Sequence, residues 1–143
     1  MKILINITLL LFFIQVVNTQ EVLVTKEWKE AKELAKKENK QILIILTGSE
    51  WCIPCKKMDK KVIKNPEFEN YAEQNLVIFL IDLPGGGLVI NSKVYQDYEK
   101  FKNKYQSNTL PSLILTKSDG TKIKTLKGKM YRIENVMKQL KQK

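Results

Sequence analysis

Residues 41–63 read QILIILTGSEWCIPCKKMDKKVI. The stretch 41–46 is a short, nearly continuous apolar run between polar residues, as expected of a strand buried on both faces inside a partly parallel sheet. Thr47-Gly48-Ser49-Glu50 is a loop. Beyond it, the spacing of Met58, Val62 and Ile63 predicts one helix with those side chains inward, ended by Asn65-Pro66. Cys52 and Cys55 therefore stand where a buried strand gives way to the first turn of a helix. A thiolate there is stabilised by unpaired N–H groups and the positive end of the helix dipole. Cys52 is expected at that end with its sulfur exposed, and Cys55 one turn further in and more buried. Their three-residue spacing puts both sulfurs on one helical face, close enough to form a small disulfide. Lys56 and Lys57 add positive potential, weakened by solvent.

The rest of the chain extends the pattern in both directions. Upstream, 25–38 places Trp28, Ala31, Leu34 and Ala35 at helical spacing, with Thr25 able to cap the start and Asn39 to end it. Downstream, 66–74 predicts a short helix with Pro66 in its first turn, and LVIFLID (76–82) a second buried strand. Pro84 and Gly85–Gly87 form a loop that lacks the residues of a phosphate-binding motif. A helix over 92–105 carries Val94, Tyr98, Phe101 and Tyr105 inward. Strands at 112–116 and 122–128 are joined by Ser118-Asp119-Gly120, a hairpin signal. The chain ends in a helix with Ile133, Val136, Met137 and Leu140 on one side. The order α-β-α-(α)-β-α-β-β-α predicts an α/β fold, a mixed central sheet flanked by helices. Strands separated by helices are expected to be parallel neighbours, with the late hairpin adding an antiparallel strand.

The first residues, MKILINITLLLFFIQVVNTQ, have one charge at Lys2, an apolar run to Val17 and then a polar segment. That is the layout of a secretory signal peptide, and the run is short for a bilayer span of about 20 residues. The expected division is a signal peptide over 1–19 and one domain over 20–143, exported to a periplasmic or extracellular space. The chain would be attached to a membrane only if the segment stayed uncleaved. Removing 1–19 leaves 24 basic and 15 acidic side chains, a charge of +9, of which +7 falls in 117–143. Lysines there alternate with apolar residues, so they read first as a solvated face, and an exported protein does not normally meet nucleic acid.

Composition bounds the chemistry. The 143 residues contain no histidine and two cysteines. That excludes Ser-His-Asp and Cys-His catalysis, and two cysteines cannot complete a four-cysteine zinc site within one chain. No metal, nucleotide or flavin is called for. The cysteine pair is open to four uses. A structural disulfide suits an exported protein, but a two-residue gap gains little from closure. Half a zinc site shared by two chains has no supporting ligand pattern. Two inert thiols are out of place in an oxidising compartment. Redox exchange fits the placement at a helix start.

Thr109-Leu110-Pro111-Ser112 lies just before the strand at 112–116. Taken with the sequence Glu50-Trp51-Cys52-Ile53-Pro54-Cys55-Lys56 after a strand, and with a hairpin followed by a terminal helix, it resembles the thioredoxin family over about residues 22–141. The wording Thr47-Gly48-Ser49-Glu50-Trp51-Cys52 followed by Lys56-Lys57-Met58-Asp59 is similar to exported, periplasmic-type bacterial members. The resemblance implies a thioredoxin-like fold and a monomeric thiol–disulfide oxidoreductase, with Cys52 and Cys55 as catalytic redox pair. Partners would be protein thiols and disulfides, with an upstream electron donor or acceptor. It implies a cis Pro111 lying against the sulfurs, a Leu110 backbone offered to substrate, and Trp51 and Pro54 shaping the substrate-facing loop. Its Pro54 is shared with the reducing motif of thioredoxin, which favours a reductant. A disulfide isomerase, or a non-enzymatic binding module using the basic 117–143 region, are the other functions such a scaffold could carry. One departure stands out. Thioredoxin has a buried aspartate six residues before its first cysteine, and here that position is Leu46. The lysine that partners the aspartate is also missing, with apolar Ile78 near its place, and Glu50 is expected to point to solvent. Proton transfer at Cys55 would then depend on water or on the substrate.

Overall fold

The computed structural model describes residues 21–85 and 90–142. The expected signal segment, 1–19, lies outside the described residues, as do Gly86 and Gly87 of the glycine loop. The elements are β1 (Leu23–Thr25), α1 (Trp28–Lys37), β2 (Gln41–Thr47), α2 (Ile53–Met58), α3 (Pro66–Asn75), β3 (Leu76–Asp82), α4 (Lys93–Tyr105), β4 (Ser112–Thr116), β5 (Lys122–Thr125) and α5 (Ile133–Lys141). A π-helical turn, Asp59–Ile63, continues α2 directly.

The five strands form one sheet in the order β1-β3-β2-β4-β5. β2 is central, which is why its apolar run is unbroken. Ile42, Ile44 and Leu46 face one side and pack with Ala31, Ala35, Phe101 and Tyr105 of α1 and α4. Leu43 and Ile45 face the other side and pack with Met58, Phe68, Val136, Met137 and Leu140, from α2, α3 and α5. The inward sets expected for α1, α4 and α5 are therefore the packed ones, with Val94, Tyr98 and Ile133 half-buried at the margins. Asn39 ends α1 in the left-handed region at φ 52°, and Lys40 N–H reaches back to Ala35 O at 2.8 Å.

Five features differ from the sequence expectation. β1 was not anticipated: three residues on a sheet edge, paired in parallel with β3, are too few to show a period. Thr25 is its last residue and is not the cap expected for α1: the helix takes Glu27, two residues later, as N-cap with no side-chain cap bond, while the Thr25 hydroxyl accepts Glu27 N–H at 3.0 Å and donates to Glu30. The single helix expected after Cys52 changes to π geometry at Asp59, where Lys64 N–H bonds Asp59 O, five residues back. β4 is antiparallel to β2, although α4 precedes it, whereas β2 and β3 are parallel as expected. Residues 106–111 carry the chain to the end of β2, so β4 begins beside Leu46 and runs the opposite way. Finally, β5 stops at Thr125, short of 128. The hairpin itself is as expected, with Gly120 at φ 92° and Asp119 Oδ1 accepting Thr121 N–H at 2.7 Å.

Candidate active site

β2 delivers the chain to Gly48, whose carbonyl accepts Trp51 N–H at 3.2 Å and Cys52 N–H at 2.8 Å. That turn sets Cys52 as the N-cap of α2, in extended geometry at φ −82° and ψ 107°. Pro54 falls within the first helical turn, where a missing N–H costs nothing. The two sulfurs are joined in a disulfide, with the Cα atoms 5.2 Å apart. Cys52 keeps 8% of its surface exposed and Cys55 none. Cys52 is thus buried, contrary to the exposed sulfur expected from the sequence, because the turn from Gly48 folds it in as the N-cap of α2, and it is the more accessible of the two only by that margin. Cys55 N–H points at Cys52 Sγ from 3.3 Å. Once the disulfide opens, that donor and the other free N–H groups of the turn favour a thiolate on Cys52. Around it, Trp51 is 49% and Ile53 66% exposed, which leaves an apolar rim beside the outer sulfur.

The loop is fastened from β3. Thr47 lies across from Asp82 in the β2–β3 register. Asp82 accepts Ser49 N–H at 2.8 Å on one oxygen and the Ser49 hydroxyl on the other. Trp51 Nε1–H donates to Leu83 O at 2.9 Å, and Leu83 N–H donates to Thr47 O at 2.9 Å. Glu50 is exposed as expected, but its carboxylate also accepts Gly85 N–H at 2.8 Å. Ser49, Asp82 and Leu83 were not singled out from the sequence. The only signal was an acidic residue closing an apolar strand; its partner 33 residues away follows from the register.

Leu110–Pro111 is a cis peptide, as the resemblance implied. It immediately precedes β4, and Ser112 pairs with Leu46, so the cis turn and the cysteine loop share one end of the sheet. Ser107 and Ser112 hydroxyls are 2.7 Å apart, and Ser112 Oγ–H donates to Thr109 O, which holds the turn from both sides. Leu110 and Pro111 are half-buried.

Leu46 is fully buried and apolar, so the acid position of thioredoxin carries no charge here. Ile78 needs a correction. It lies across from Leu43, in the core on the opposite face of the sheet, whereas the residue across from Leu46 is Ile81. Strand register, which residue counting cannot see, separates the two positions. Part of the basic C-terminal region serves the fold. Lys122 Nζ donates to Tyr105 O at 2.8 Å, and Lys124 Nζ donates to Gln139 O and Gln142 O at the end of α5, where a cation also suits the helix dipole. Among the described residues, no group of three or more Cys, Asp or Glu side chains is placed to hold a metal.

The family model for the thioredoxin-like domain matches residues 28–143. The chain belongs to the thioredoxin-like family. Its fold is similar to that of a solved structure, a DsbH oxidoreductase, at a TM-score of 0.67 and 24% identity, covering 90% of this chain and 92% of that one. Two curated relatives come from Chlamydia pneumoniae. The disulfide bond reductase DsbH is 26% identical over 98 residues, 68% of this chain and 58% of its own. The thioredoxin-related protein DsbJ is 28% identical over 89 residues, 62% of this chain and 25% of its own. This thioredoxin-like chain thus matches under two thirds of the length of both curated relatives.

Proposed function

We propose that the chain is a thiol–disulfide oxidoreductase that works as a reductant of protein disulfides. The observation that carries it is the Cys52–Cys55 disulfide at the start of α2, with Cys52 retaining slight exposure and Cys55 none. In the reduced protein, Cys52 thiolate attacks one sulfur of a substrate disulfide. The substrate's other sulfur leaves as a thiolate, and a mixed disulfide forms. Cys55, deprotonated, attacks Cys52 Sγ, the substrate leaves as its second thiolate, and the Cys52–Cys55 bond is restored. Two electrons pass to the substrate, and a dithiol donor returns them. With Leu46 in place of an acid, the Cys55 proton goes to water or to the departing thiolate.

Trp51 and Pro54 shape the surface that meets substrate, and the Leu110–Pro111 turn offers Leu110 backbone to an extended chain by strand-like pairing. Residues 1–19 act as a signal peptide, 20–143 as the exported domain, and the protein works as a monomer in a periplasmic or extracellular space. The name of the DsbH relative, a disulfide bond reductase, supports the direction.

The test uses insulin, whose interchain disulfide precipitates the B chain when cleaved. Reduced protein should cleave it, Cys52→Ser should abolish cleavage, and Cys55→Ser should accumulate the mixed disulfide. An active Cys52→Ser variant refutes the assignment. Direction is read separately, from the equilibrium of the pair with glutathione. Family potentials span about −270 to −120 mV, and a value at the oxidising end would overturn the reductant assignment.

A further inference from the structure

The helix that begins at Cys52 leads into a basic cleft. Lys60 and Lys61 on the π-helical turn, Lys64 just after it, and Arg132 before α5 line an open cavity of about 550 Å³. Its apolar surface comes from Pro66, Tyr131 and Ile133, and its one carboxylate is Glu134. Lys64 is already paired with Asp59 at 2.7 Å. Lys60, Lys61 and Arg132 are exposed and take part in no ion pair among the described residues. Lys57 joins the cleft to the cysteine turn, its Nζ lying 6.0 Å from the centre of the Tyr131 ring. The positive potential therefore runs from the residues next to Cys55 into an open cavity between the π-helical turn, the start of α3 and the start of α5.

We infer that this cleft docks an acidic segment of the polypeptide that exchanges its disulfide with Cys52. The inference rests on the proposed redox function for its substrate and on charge complementarity for its site. Like charges with no partner repel one another, and an anionic chain relieves that repulsion while its aromatic or aliphatic side chains cover Tyr131 and Pro66. The cleft adjoins the cysteine turn through Lys57, so the anionic group that reaches it is carried by the chain whose disulfide is exchanged rather than by a lipid surface. Spacing sets the register. Lys60 is eight residues past Cys52, about 12 Å along the helix. An extended polypeptide covers that distance in about four residues. The preferred substrate carries Asp or Glu about four to six residues from its reactive cysteine.

The experiment has a binding arm that does not depend on redox chemistry and a rate arm that does. In the first, a fluorescent acidic peptide without cysteine is titrated into the oxidised protein, alongside its Gln/Asn counterpart. Wild type should bind the acidic peptide about tenfold more tightly at low salt, with the preference fading at high salt. The triple variant Lys60→Gln, Lys61→Gln, Arg132→Gln should lose the preference, with an unchanged melting temperature as control. Lys60→Glu with Lys61→Glu should reverse it toward a lysine-bearing peptide. Equal binding of both peptides, or a preference that survives the triple variant, overturns the inference. So does binding of phosphatidylglycerol vesicles through these residues in place of the peptide. In the second arm, peptides with one disulfide and an acidic or neutral flank are reduced by wild type and by the triple variant. The acidic flank should raise kcat/KM about tenfold in wild type only. Equal cleavage of both flanks refutes docking and leaves the redox function standing. Cleavage of neither refutes the redox function, and the binding arm still decides the cleft.

Discussion

Gly48→Ala is the substitution that most directly tests how the cysteine loop is held. A Cβ at Gly48 would lie 2.6 Å from Trp51 Cε2, 2.7 Å from Cζ2 and 2.9 Å from Nε1. Carbon atoms pack at about 3.5–4.0 Å, so the indole must withdraw by about 1 Å. The Trp51 Nε1–Leu83 O bond is 2.9 Å, and a displacement of that size is enough to break it. Losing it costs about 1 kcal/mol net, and the half-exposed ring loses part of its packing as well, so the whole effect is about 1–2 kcal/mol. Gly48 has no left-handed φ, so in the absence of the ring the alanine should be neutral or stabilising by up to about 1 kcal/mol. The assay is a double-mutant cycle with Trp51→Ala, read by urea unfolding of the oxidised protein. Gly48→Ala should destabilise wild type and not the Trp51→Ala background, a coupling of at least about 1 kcal/mol. Reduction of insulin should slow in parallel, because the turn that caps α2 with Cys52 hangs on the same carbonyl. Additivity within about 0.5 kcal/mol would refute the account, since it would mean that the ring does not rest on Gly48.

Three further outcomes follow from the packing and the hydrogen bonds. Asp82→Ala removes the acceptor of both Ser49 groups and should cost about 1–3 kcal/mol in chemical unfolding, more than Ser49→Ala, which keeps the backbone bond; equal losses would contradict the arrangement. Phe101→Ala opens the ring cluster in which Phe101 lies 5.0 Å from Trp28 and 4.9 Å from Phe79, and should cost about 3–5 kcal/mol, whereas an exposed-site loss below about 1 kcal/mol would show that the cluster is not packed. Burial, and secondarily the charge of Asp119, raises the Tyr105 phenol above its ordinary value of 10.0. The neutral form is thus favoured by folding, so its contribution is complete below the unfolded-state pKa and is lost as pH rises through the higher folded value. Thermal unfolding against pH should show wild type losing more stability than Tyr105→Phe above about pH 10, and parallel curves would refute the assignment.

Much of the scaffold was legible because burial writes itself into short-range pattern. β2 and β3 are unbroken apolar runs because helices cover both faces, and α4 and α5 repeat at three and four because one stripe of each meets the sheet. β1 was illegible because an edge strand of three residues has too little pattern to see. The direction of β4 was missed because a preceding helix normally implies a parallel return, and the path of residues 106–111 defeats that rule. In the site, Cys52 and Cys55 announced themselves by spacing and placement. Ser49 and Asp82 did not, because neither is unusual until strand pairing sets Thr47 against Asp82.

The sequence by itself determined the chemical inventory: two thiols three residues apart at a strand-to-helix junction, no histidine, and a leucine where thioredoxin has an acid. These are local properties, fixed by residue identity and helical periodicity. Only the tertiary structure decided what surrounds them. It placed Leu46 and Ile78 on opposite faces of the sheet and tied the cysteine loop to Asp82, Leu83 and Gly85. It also divided the basic residues: Lys122 and Lys124 close backbone carbonyls, while Arg132 joins Lys60 and Lys61 from about 70 residues away in a single cleft. Charge counted along a chain cannot show such a site, because potential adds through space, and packing of α5 against the π-helical turn brings those cations together.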